Sequence, residues 1–74
     1  MYEISVLTPD GKTECLRSDT RYEWALIKGK PGSWIVFSWH WQEKDANEQA
    51  IRVKRGLGKG ESVVARRTSI SNAL

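Results

Sequence analysis

The residues with chemistry to offer gather in the last third of the chain. From Arg52 onward six cations (Arg52, Lys54, Arg55, Lys59, Arg66 and Arg67) face one acid, Glu61, whereas the first 51 residues hold eight acids against six cations. A basic cluster at a helix end, beside the glycine-spaced run Gly56-Leu-Gly-Lys-Gly60 and a following strand, has the electrostatic footprint of a nucleic-acid binder. Ammonium and guanidinium groups neutralise phosphates, and glycine lets a phosphate approach the backbone. The same cations have a plainer use, because a helix dipole favours basic residues at its C-terminus. Arg66-Arg67 also reads as a solvated strand end. Alternation along a strand turns Arg66 and Arg67 to opposite faces, so only one of them can join a single-faced patch.

Most reaction chemistries find no support. Gly56-x-Gly58-x-Gly60 follows a helix and precedes a strand, the reverse of the dinucleotide-binding order, and Lys59 is followed by Gly60 rather than Ser or Thr. Cys15 is the only cysteine and His40 the only histidine, which excludes an internal disulfide and a Cys/His metal set. Cys15 reads as a small core residue. Ser38 falls on the same side of a strand as His40, but no acid or oxyanion donor completes a triad. The expectation is a protein that is not an enzyme and uses no cofactor. His40, between Trp39 and Trp41, reads as a half-exposed strand residue or a partner contact. Trp34 reads as a packing residue or as an anchor for a partner, where tryptophan is enriched.

The chain of 74 residues has room for one core, so residues 1–68 are expected to form a single domain with 69–74 as a flexible C-terminal tail. A core this small is worth about 3–5 kcal/mol, which leaves large side chains to supply the stability. The four tryptophans (Trp24, Trp34, Trp39 and Trp41) are the natural source. No apolar run approaches the roughly 20 residues that span a bilayer, and the first residues lack a basic, then apolar, leader. A cytoplasmic location without membrane contact is the expectation.

Residues 2–7 alternate with period two, Thr8-Pro-Asp-Gly-Lys12 reads as a turn, and a second strand from Thr13 to Leu16 completes a hairpin. Thr20 and Glu23 match capping-box spacing, with Tyr22 and Leu26 one turn apart, which predicts a helix over 20–28 that Gly29 and Pro31-Gly32 terminate. Trp34 to Trp41 is the central strand. Its wholly apolar face, Ile35, Phe37, Trp39 and Trp41, is expected to meet the helices, leaving Trp34, Val36, Ser38 and His40 on a mixed face. Ala46, Ala50, Val53 and Leu57 form one stripe of a second helix over 43–55, acidic at its start and basic at its end. Ser62 to Arg66 is the last strand. The expected architecture is α+β in the order β-β-α-β-α-β, two helices on a mainly antiparallel or mixed sheet.

Trp24-Ala-Leu-Ile-Lys-Gly-Lys-Pro-Gly-Ser-Trp34, followed by Ala46, Ala50, Ile51, Arg52, Lys54, Arg55 and Gly56, resembles small accessory proteins of actinobacterial phages. These combine a Trp-containing helix, a Pro-Gly-x-Trp turn into a strand, and an Ala-rich helix ending in basic residues and glycine. The likeness spans roughly Trp24 to Arg67 and brings no functional residue with it. It implies a phage gene product that binds rather than catalyses. Two functions then stand side by side. One is binding of nucleic acid through Arg52, Arg55 and Lys59, with Lys54, Arg66 and Arg67 peripheral. The other is a protein-interaction module, docking on a host protein or forming a homo-oligomer through exposed aromatic surface and a sheet edge.

Overall fold

The computed structural model describes residues 1–72, and the element order is β1 (Tyr2–Leu7), β2 (Thr13–Ser18), β3 (Trp24–Lys30), β4 (Ser33–His40), α1 (Glu43–Lys54), β5 (Ser62–Arg67) and β6 (Ser69–Asn72). The fold is α+β and, among the described residues, has two three-stranded antiparallel sheets, β2-β1-β6 and β4-β3-β5, and a single helix. The expected β-β-α-β-α-β order with two helices is therefore incorrect.

The first hairpin forms where its turn chemistry places it. Thr8 N–H donates to the Lys12 carbonyl at 2.8 Å, Gly11 N–H donates to the Thr8 carbonyl at 2.9 Å, and the Thr8 hydroxyl bonds Asp10. Thr8 is buried, and these bonds compensate its lost hydration. Residues 69–72, expected in a flexible tail, instead add a third strand to this hairpin, with Ile70 opposite Ile4. Residues 73–74 of that expected tail lie outside the described residues.

The main correction is at Trp24–Lys30, which is the middle strand of the second sheet and not a helix. Ala25, Leu26 and Ile27 are all fully buried, as in a strand covered on both faces. A nine-residue helix is marginal by itself, whereas this segment gains two hydrogen-bonded neighbours and two covered faces as a strand. Ser18 Oγ accepts from Thr20 N–H at 3.0 Å, and the Thr20 carbonyl accepts from Tyr22 N–H at 3.1 Å, so the supposed capping box is a bend. Pro31-Gly32 does not stop a helix. It turns β3 back into β4, Lys30 facing Ser33, with Gly32 at φ 82°, the sign a type II turn requires at its third residue.

A second correction concerns the faces of β4. Leu26 pairs with Ser38 and Ile27 with Val36, so Phe37 has no partner on β3 and forms a β-bulge. One extra residue reverses the alternation beyond it. Trp34 and Val36 before the bulge and Trp39 after it therefore share the face of Ala25 and Ile27, where they pack with Val64 and with Val6 of β1. Ile35 and Phe37, expected in the core, are 57% and 45% exposed, and Trp41 is 64% exposed. α1 lies across the opposite face, over β5 and β3 more than over β4, and buries Ala46 and Val53. Thr68 alone separates β5 from β6. Its N–H donates to the Glu23 carbonyl at 2.9 Å and its hydroxyl to the Tyr22 carbonyl at 2.8 Å, which ties the crossing between sheets to the start of β3.

Two measurements test this arrangement. By urea denaturation, Trp39→Ala should cost about 3 kcal/mol, at the low end for an aromatic truncation because the indole is half-buried. Ile35→Ala should stay within about 0.5 kcal/mol; equal losses at the two sites would refute the bulge. Separately, a Cβ on Gly29, at φ 148°, would collide with the Ser33 carbonyl oxygen, while one on Gly32 would meet nothing within 4 Å. Gly29→Ala should thus cost about 3 kcal/mol or more and Gly32→Ala about 1 kcal/mol, with similar losses counting against the packing.

Candidate nucleic-acid interface

Helix α1 carries the basic cluster because its sequence is polarised along the axis, with Glu43 and Asp45 in the first turn and Arg52 and Lys54 in the last. Opposite charges at the two ends complement the macrodipole, so the basic end is compatible with a stable helix. Ala46 and Val53 hold the helix to the sheet, and Arg52 and Arg55, three residues apart, leave it on the same side. Lys54 leaves from nearly the opposite side. All three are exposed.

Because α1 sits toward β5, the β4 side of the sheet stays open beside it. A groove of about 270 Å³ results, walled by Gln49, Arg52, Val53 and Gly56 on one side and by Lys28 and Phe37 on the other. Lys28 Nζ stands 5.7 Å from the centre of the Phe37 ring, close enough for a cation–π contact. Ile35 is the direct cross-strand partner of Lys28 and therefore shares its face. Lys28, Ile35 and Phe37 are absent from the residues that the sequence marks for a site. Its local signals put Lys28 in a helix and Phe37 and Ile35 in the core.

The loop after α1 is self-satisfied. Gly58 N–H donates to Glu61 Oε1 at 2.6 Å and Glu61 N–H to the Gly58 carbonyl at 3.1 Å, closing a turn around Lys59 with Gly60 at φ 81°. The carboxylate of Glu61 thus takes the backbone donor that a phosphate would have used. Lys59 projects from this turn, exposed, and contributes charge without a backbone cradle.

The remaining expected residues separate. Arg66 pairs with Ala25 and so points to the face turned away from α1, where it borders a hollow with Ser5, Leu7 and Thr13. Arg67 is engaged: its Nη2 is 3.5 Å from Glu23 Oε1, and its guanidinium lies 5.8 Å from the Trp24 ring centre. Each interaction is worth at most about 1 kcal/mol at so exposed a site. Among the described residues the other ion pairs are Arg21–Glu23 at 3.7 Å and Arg17–Glu3 at 3.6 Å. Among the described residues, Lys28, Arg52, Lys54, Arg55, Lys59 and Arg66 form no salt bridge. Trp34 is half-buried against the core, so its indole is largely committed to packing. His40 is half-buried as well and shares a 2.6 Å hydrogen bond between its Nε2 and Ser38 Oγ. Cys15, expected inside, is exposed on β2.

Comparison with family models, with curated protein sequences and with solved structures found no match to this chain. The assignment of the site therefore rests on its own geometry.

The closed loop has a direct check. In Glu61→Ala the Gly58 amide proton should exchange with solvent several-fold faster in an NMR hydrogen-exchange measurement, since the amide no longer donates to a charged acceptor. An unchanged rate would show that the Gly58–Glu61 bond does not persist in solution.

Proposed function

We propose that this chain is a non-enzymatic binding module that takes nucleic acid on the α1 side of the second sheet. One observation carries the reading. Arg52 and Arg55 stand at the C-terminal end of α1, Lys59 in the loop that follows it and Lys28 in the same groove as Arg52, and among the described residues none of the four is matched to a carboxylate. Cations left unmatched keep their full charge for phosphates, and their binding releases condensed counterions. Lys28 and Arg52 line one groove and can address one ligand together, and Arg55 adds charge one helical turn on from Arg52. Lys54 and Arg66 point elsewhere, and Arg67 is shared with Glu23, which makes all three peripheral. Contacts of this kind position a backbone without reading its sequence. The setting that accompanies this reading is a phage accessory product acting in the host cytoplasm. Among the described residues no helix is long and apolar enough to cross a membrane.

A second reading has its own observation. β4 is an edge strand of its sheet and carries exposed Ile35 and Phe37, surface that suits a protein partner or a second copy of the chain. Light scattering at micromolar concentration separates the two. Self-association that Ile35→Lys abolishes, together with indifference to DNA, would favour the second reading.

The charge reading is tested on heparin and on DNA. Arg52→Glu, Arg55→Glu and Lys59→Glu together should abolish retention. In single variants, each phosphate no longer neutralised should flatten the plot of log affinity against log salt by about 0.9 on a duplex and about 0.7 on a single strand. Arg66→Glu, on the far face of the sheet, should shift elution far less. Undiminished binding by the triple variant would overturn the assignment.

A further inference from the structure

Resting on that reading, we infer that the nucleic acid taken by the α1 groove is single-stranded and that one of its bases lies on Phe37. The bulge supports this first. It removes Phe37 from the alternation of β4 and aims the ring between the strand edge and α1, where it is 45% exposed. Ile35, 57% exposed on the same side, extends the apolar surface along the strand.

The charges flanking the ring complete the chemistry. Lys28 Nζ stands 5.7 Å from its centre, and Arg52 stands on the opposite wall of the groove. With Lys28 over one face of the ring, the other face is left for a ligand that is flat and aromatic at that point and anionic where it meets Lys28 and Arg52. A nucleotide has that pattern, with its base against the ring and the phosphates on either side within reach of Lys28 and Arg52. A duplex does not present it. Its bases are stacked inside, and proteins read them by inserting a protruding helix or ribbon into a groove. Here the aromatic lines the wall of a shallow groove beside α1 and does not enter a base stack as a wedge would, so a base must leave its stack to lie on it. Such stacking tolerates any base.

The experiment is a fluorescence-anisotropy titration at low salt with two labelled probes, a short oligothymidine and a duplex of the same length. The wild-type protein should bind the single strand about tenfold more tightly than the duplex. Phe37→Leu keeps an apolar side chain but removes the π face. It should weaken single-strand binding about tenfold, leave duplex binding unchanged, and leave the salt dependence unaltered because the charges all remain. Phe37→Tyr should restore wild-type affinity. Circular dichroism checks that each variant is folded, and Ile35→Ala provides a second probe of the same surface should Phe37→Leu unfold. Equal affinity for both probes, or single-strand binding indifferent to Phe37→Leu and Ile35→Ala, would overturn the single-strand inference and leave the nucleic-acid reading standing. Failure to bind either probe would remove both.

Discussion

The structure depends on the double-sided burial of Ala25, Leu26 and Ile27. A strand shielded on both faces needs a cover for each, and a short chain has few elements to provide them. α1 serves the Leu26 face, and Val6 of β1 with Trp34, Val36 and Trp39 serves the face of Ala25 and Ile27. The three-residue apolar run thus determines that the first sheet must fold against the second and that the helix must lie on the outside. Thr68 holds this geometry in place, because its two bonds to the Tyr22 and Glu23 carbonyls anchor the sheet crossing beside the run itself.

The bulge at Phe37 divides β4 between stability and surface. Without it, Trp39 would alternate with Trp34 and Val36 and the core would lose one of its two indoles. With it, three bulky residues share the interior, and Phe37 becomes available beside α1. The position of α1 toward β5 then decides what that availability means. Covering β4 as well would have sealed the groove, whereas the observed offset leaves Lys28 and Arg52 facing each other across it.

Legibility in the sequence follows the range of each signal. The first hairpin, α1 and β5 are readable because their cues are local: a Pro-Asp-Gly turn, a four-residue apolar stripe with polarised charge, a valine pair. β3 is not, since Ala25-Leu-Ile27 has no periodicity that separates a short buried strand from a helix. Pro31-Gly32 signals a stop in either case, and Thr20-x-x-Glu23 imitates a cap. The faces of β4 come out inverted because a bulge is a property of the pairing and leaves no mark on one strand alone. β6 resembles a tail because Ser69-Ile-Ser-Asn72 has one apolar residue, and its reason to order is Ile4, far away in sequence. The charged half of the candidate site, Arg52, Arg55 and Lys59, is visible as composition. Its other half, Lys28 and Phe37, requires the correct strand and the correct phase.

The pairing of β1 with β6 has a consequence for how the chain acquires its structure. Tyr2 faces Asn72, so this ladder joins segments separated by nearly the whole sequence, and the loop to be closed is about as long as this chain permits. Topologies dominated by such distant partners fold slowly, in milliseconds to seconds. During synthesis β1 leaves its second edge open until β6 has been made and Thr68 has turned it into place. For that interval the nascent hairpin exposes unsatisfied backbone donors and acceptors, and the last strand acts as the cap that closes the sheet to foreign strands.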